Sequence, residues 1–139
     1  MIVFRDVQAG DEEYVVNLWK TCGLTRGWND PYKDIQFARD GAASTVLVGI
    51  VDDRIMASVM VGHDGHRGVL YYLAVDPASQ KRGLGKAAVA AAEAWLRGRG
   101  VWKINLLVRA ENTAVSGFYE SLGYAVNPVV SFGKRIDGP

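Results

Sequence analysis

The chain changes character at Ser44. Before that point apolar residues recur at helical spacing. From there on come three short β-rich runs in succession, Thr45–Val51, Ile55–Gly62 and Val69–Val75. Asp52-Asp53 makes a tight turn between the first two, and Asp64-Gly65-His66-Arg67-Gly68 is a loop before the third. Successive runs with such short connections argue for an antiparallel meander.

Helical patterns flank this block. Asp11 is positioned to cap a helix through about Thr21, with an apolar stripe at Val15, Leu18, Trp19 and Cys22 and Gly23 at the left-handed position that ends it. Asp30-Pro31 reads as an N-cap followed by proline at the first helical position, opening a shorter helix through about Arg39. Beyond the meander, Gly85–Arg97 is helical, with Leu84, Ala88, Ala92, Trp95 and Leu96 as its buried stripe. Lys103–Val108 reads as a strand. Asn112 or Thr113 then caps a helix with Val115, Phe118, Tyr119 and Leu122 on one face, stopped by Gly123. Strands at about Tyr124–Val126 and Val130–Ile136 close the chain. The expected order is βααβββαβαββ: an α/β (α+β) fold in which helices flank one central, mixed but mostly antiparallel sheet.

At 139 residues the chain has material for one core, and residues 1–139 are expected to form a single domain. A formal net charge of +1 argues against a nucleic-acid partner held by bulk charge. No apolar run reaches the roughly 18 residues of a membrane helix, and Met1–Asp6 lacks the layout of a secretory signal. A cytoplasmic location without a membrane partner is the expectation. One cysteine, Cys22, and two histidines, His63 and His66, leave no material for a disulfide and little for a metal centre, so no metal is expected.

The segment richest in chemistry is Gln80-Lys81-Arg82-Gly83-Leu84-Gly85-Lys86. Its glycines let a backbone approach a ligand closely, and the helix start that follows offers unpaired N–H groups and a favourable dipole. Lys81, Arg82 and Lys86 add positive charge, a setting suited to a diphosphate. The plainer reading is a glycine-containing turn with solvated basic residues. A Walker loop is excluded, because Gln80 stands where its first glycine belongs and Ala87 where Ser or Thr must follow the lysine. The dinucleotide pattern G-x-G-x-x-A is matched by Gly83, Gly85 and Ala88. However, Val75 ends its strand eight residues too early, and Lys103 and Asn105 stand where an acidic residue belongs.

Three segments together, Leu73-Ala74-Val75-Asp76-Pro77, Gln80 to Gly85, and Asn112 through Phe118-Tyr119 to Tyr124, resemble the GNAT superfamily of acetyl-CoA-dependent N-acetyltransferases. Its phosphate signature Q/R-x-x-G-x-G/A is matched by Gln80, Gly83 and Gly85. Trp28-Asn29-Asp30-Pro31, with Asp64-Gly65-His66-Arg67-Gly68 and Tyr71-Tyr72, is similar to the small bacterial YpeA-type members, themselves similar to the RimI-type enzymes that acetylate protein N-termini. The resemblance implies acetyl-CoA as co-substrate. Backbone groups of Leu73, Ala74 and Val75 would pair with the pantetheine arm. N–H groups from Lys81 through Arg82, Gly83, Leu84 and Gly85 to Lys86, after Gln80, would bind the diphosphate. Asn112 would hydrogen-bond the pantetheine or cap its helix, two compatible roles. Tyr119 would lie near the thioester sulfur as general acid, or else be a core tyrosine. Family members are often dimers, the basis for expecting a homodimer here.

The acceptor would be an amine of a small molecule or of a peptide, and it must be neutral to attack. Deprotonation at pH 7 costs about 4.6 kcal/mol for a lysine side chain and about 1 kcal/mol for an α-amine. Many family members carry a glutamate on the strand before the phosphate loop; Val69–Val75 has no carboxylate, with Tyr71 and Tyr72 in its middle. Strand alternation places these two on opposite faces, and Tyr72 is the one expected in the acceptor cleft. Asp30, Asp76, His63 and His66 are further candidates for the base. Trp28, Asn29 and Asp30 are expected to contact the acceptor. The other class of reading is a CoA-binding regulatory module without catalysis.

Overall fold

The computed structural model describes Met1–Gly138. It falls into two compact units, Met1–Leu106 and the part that follows from Leu107. The first contains β1 (Val3–Asp6), α1 (Glu12–Thr21), α2 (Pro31–Asp40), β2 (Ser44–Val51), β3 (Arg54–His63), β4 (Gly68–Val75) and α3 (Leu84–Arg97). The second contains α4 (Thr113–Ser121). Among the described residues no helix is long and apolar enough to cross a membrane.

The strands form one antiparallel sheet in the order β1-β2-β3-β4, which is the expected meander with β1 added beside β2. Asp52 and Asp53 both take positive φ (49° and 61°), the two-residue turn whose twist matches the flanking strands. Both sheet faces are covered. Val15, Val16, Leu18 and Trp19 of α1, with Ile35 and Ala38 of α2, pack with Val46, Val48 and Ala74. α3 lies against β3 and β4, with Leu84, Ala88, Val89, Ala92 and Leu96 buried. Gly68 lets α3 approach β4, since a Cβ there would stand 2.6 Å from Leu96 Cδ1. Burial of both faces explains why β2 reads as a nearly continuous apolar run.

Three local readings change. The Asp11 carboxylate does not cap α1; it turns back to accept the Gln8 N–H at 2.7 Å and to pair with Arg5. Lys103–Val108 forms a single parallel bridge, Ile104 to Gly68, rather than a strand. Tyr124–Val126 and Val130–Ile136 join no ladder among the described residues. Alternating apolar residues supply the pattern of a strand, but only a partner edge makes one. The Val129 N–H instead closes a turn onto Asn127 O around Pro128, and proline has no N–H to give a ladder.

Candidate active site

β4 delivers the chain to the loop. Asp76 accepts the Ala78 N–H at 2.8 Å and starts a short turn through Pro77–Ser79. Lys81 (φ 66°) and Gly83 (φ 76°) both take the left-handed conformation, and α3 then begins at Leu84. No side chain caps it. Its first backbone bond runs from Ala87 N–H to Gly83 O, so the N–H groups of Leu84, Gly85 and Lys86 precede the helical ladder and are left for an anion. A Cβ at Gly83 would meet nothing within 4 Å, so the space over the turn is open. Upstream, within the first unit, the outer edge of β4 pairs only at Gly68, which donates to Lys103 O and accepts from Asn105 N–H, both at 2.9 Å. These features fit a diphosphate on the helix start and an extended arm along Leu73–Val75.

A β-bulge overlaps the start of that segment. Met60 pairs with Tyr71 and Ser58 with Ala74, so Tyr72 and Leu73 together face Val59. Tyr72 takes φ 50°, a left-handed conformation costing an aromatic residue about 1–3 kcal/mol. Four contacts hold it there. Its ring stacks on Trp19 with centroids 3.8 Å apart and planes within 5°. Trp19 Nε1–H donates to Ser58 Oγ at 2.8 Å, Ser58 Oγ–H leans on Tyr72 O at 3.4 Å, and the Tyr72 hydroxyl donates to Asp34 Oδ2 at 2.6 Å. Burial and then the Asp34 carboxylate push the Tyr72 phenol far above its ordinary value, against smaller opposing effects of Asn29 and Arg26. Tyr72 is therefore a hydrogen-bond donor, not a proton acceptor.

The bulge also alters the expected alternation. Tyr71 and Tyr72 line the same cleft of about 530 Å³, together with Asn29, Asp34, Phe37 and Met60. Of the three residues expected on the acceptor side, Asn29 lines this cleft. Asp30 caps α2 through Oδ1, which accepts from Tyr32 N–H at 3.0 Å and Lys33 N–H at 3.3 Å. Trp28 is exposed outside the cleft lining. Asp34 was missed by sequence reasoning. The available signal was its place one helical turn beyond Asp30, on a helix opening from a suspected acceptor loop.

The remaining candidates have local roles. His63 Nδ1 accepts the Gly65 N–H, and the Asp64 carboxylate accepts from His66 and Arg67 N–H, so this loop is tied up in its own turns. The Cys22 thiol donates to Val75 O at 3.3 Å, and burial raises its pKa, which makes it a poor nucleophile. In the second unit, Asn112 Oδ1 caps α4 by accepting the Val115 N–H at 3.2 Å, leaving its amide N–H groups as donors. Tyr119 is buried, with edge-to-face contacts to Phe118 and Tyr124. Burial raises its pKa, so the phenol keeps its proton at neutral pH.

Known proteins share the sequence family and the fold. The acetyltransferase (GNAT) family profile matches residues 12–124. An acetyltransferase of Yersinia enterocolitica is 42% identical over 132 residues, covering 95% of this chain and 94% of that protein. Aminoglycoside N-acetyltransferase AAC(6')-Iy in complex with CoA has the same fold, with a TM-score of 0.83 at 18% identity over 98% of this chain and 95% of that one. The ribosomal-protein-S18-alanine N-acetyltransferase of Escherichia coli aligns with a TM-score of 0.72 at 26% identity, covering 88% of this chain and 77% of that one.

Proposed function

Because the chain belongs to the GNAT acetyltransferase family, we propose that it moves an acetyl group from acetyl-CoA directly onto a primary amine of a small molecule or a peptide N-terminus. The observation that carries this reading is the continuity from the outer edge of β4, which within the first unit pairs only at Gly68, through the left-handed turn at Lys81 and Gly83, to the uncapped start of α3. Leu73, Ala74 and Val75 offer backbone groups to the pantetheine. The N–H groups from Lys81 to Lys86 receive the diphosphate, and the amide of Asn112 offers further donors to the arm. The reading takes residues 1–139 as one domain, of which the family match covers residues 12–124, and places the enzyme in the cytoplasm.

Acetyl-CoA supplies an activated thioester. The neutral amine nitrogen attacks its carbonyl carbon, the C–S bond breaks and Tyr119 gives its proton to the departing sulfur; the proton that the nitrogen then sheds goes to water, from which the Tyr119 phenolate is reprotonated. A phenol above pKa 10 transfers that proton only as charge develops on sulfur. No covalent enzyme intermediate is needed, in keeping with the half-buried, hydrogen-bonded Cys22. Tyr72 does not serve as base, and β4 carries no carboxylate. An acceptor of low basicity, such as an α-amine, therefore suits the site better than a lysine side chain. The alanine acceptor named for the Escherichia coli relative favours a peptide terminus, and the aminoglycoside of the other neighbour a small molecule.

Calorimetric titration with acetyl-CoA tests the reading, using the wild type and a Gly83→Asp, Gly85→Asp double variant. Micromolar binding lost in the variant, together with CoA release on adding an amine from a panel, is the expected result. Binding without release for any amine would favour a regulatory module. No binding by the folded wild type would end both readings.

A further inference from the structure

The cleft beside β4 holds a polar cluster that the acetyl-CoA segments do not use. We propose that Asp34 is the acceptor-binding residue, its carboxylate docking a primary amine as the ammonium, which gives a proton to water before the nitrogen attacks, while the apolar body lies on Leu24, Phe37 and Met60. The proposal rests on the acetyltransferase reading and assigns the acceptor side of that site.

Three observations support it. First, the carboxylate is half satisfied: Oδ2 accepts the Tyr72 hydroxyl, while Oδ1 has no hydrogen-bond partner among the described residues. Tyr72 stays neutral, and the carboxylate sits half-buried at the cleft wall, a setting in which a cationic partner is favoured. Arg26 is the neighbouring cation, and its Nη1 is spent on the carbonyls of Gly23 and Thr25, at 2.8 and 3.0 Å. Second, direction along the chain places the reaction here. With the diphosphate on the start of α3 and the arm running back from Val75 to Leu73, the acetyl end arrives at Tyr72, whose hydroxyl touches Asp34. Third, the wall is apolar, and Phe37 on α2 is 86% exposed at its rim, a side chain with more to gain from a ligand than from its own fold.

Matched probes separate charge from shape: phenethylamine, a cation at neutral pH, and hydrocinnamate, an anion of the same outline. In NMR titrations phenethylamine is expected to bind the wild type and shift the Asp34 and Tyr72 amide signals, while hydrocinnamate does not bind. Asp34→Asn should weaken the amine by at least about tenfold, Asp34→Glu should restore part of the affinity, and acetyl-CoA binding should be unchanged in both. Tyr72→Phe, which keeps the ring on Trp19 and the charge on Asp34, should retain the amine and serves if Asp34→Asn does not fold. Equal binding of hydrocinnamate, unaltered amine affinity in Asp34→Asn, loss of the amine in Tyr72→Phe, or no amine binding by the wild type would overturn the assignment. Acetyl-CoA titrated into the same samples reads the premise separately: its failure sinks the acetyltransferase reading, whereas failure of the amine alone sinks only the role of Asp34.

Discussion

Tyr72 and Asp34, 38 residues apart in the chain, meet at 2.6 Å with the phenol as donor. The bond ties the bulge of β4 to α2. It completes a relay from Trp19 through Ser58 that keeps an aromatic residue in a backbone conformation it would not choose. Tyr72→Phe preserves the stack and removes the bond, so it should destabilise the fold by about 0.5–1.5 kcal/mol. Urea unfolding monitored by Trp fluorescence would measure this; an unchanged midpoint would mean that the stack alone holds the bulge.

Trp19→Phe should cost more. It leaves Ser58 Oγ, fully buried, without its 2.8 Å donor and opens a void where the indole was. Together these amount to about 2–5 kcal/mol. A loss below about 1 kcal/mol in the same assay would show that the core closes around the smaller ring.

Gly68→Ala tests the seat of α3. The added methyl would sit 2.6 Å from Leu96 Cδ1, and overpacking of this kind costs about 1–3 kcal/mol. The double variant Gly68→Ala, Leu96→Val should recover part of that loss. Thermal unfolding of the two variants decides it, and no recovery would place the strain elsewhere.

Acid stability should carry the mark of Asp11. Arg5 meets its carboxylate at 2.6 and 3.1 Å, and this contact, more than the Gln8 N–H, lowers its pKa below the ordinary 3.8. A lowered folded pKa means stability that is present above the unfolded value and lost as pH falls through the folded one. Asp11→Asn should therefore destabilise at neutral pH and flatten the stability profile below about pH 4. Parallel profiles for variant and wild type would remove Asp11 from the acid limb.

Tyr119→Phe should lower turnover while leaving the calorimetric affinity for acetyl-CoA unchanged. Because burial holds the phenol above its ordinary pKa of 10, the wild-type rate should show no alkaline fall from this group below that pH. A fall near pH 8 that disappears in Tyr119→Phe would contradict the raised pKa.

Much of this protein is written locally. Helix periodicity, the Asp30-Pro31 cap, the Asp52-Asp53 turn, Gly23 as a left-handed stop and Gly83 before α3 depend on residues a few positions apart, so the linear pattern determines them. The loop proposed to take the diphosphate is legible for the same reason: its candidate donors are backbone groups of one short segment. What only the tertiary structure decided involves partners distant in sequence. Alternation placed Tyr71 and Tyr72 on opposite faces, but one extra residue in the bulge against Val59 brought both to one cleft. Asp34 became part of the site because Tyr72 reached it from another element. Among the described residues the apolar alternation after Tyr124 made no strand, because a ladder needs an edge to pair with and a pattern cannot supply one. Local backbone preference is a property of the segment, whereas pairing, burial and the placing of a charge belong to the contacts that the folded chain creates.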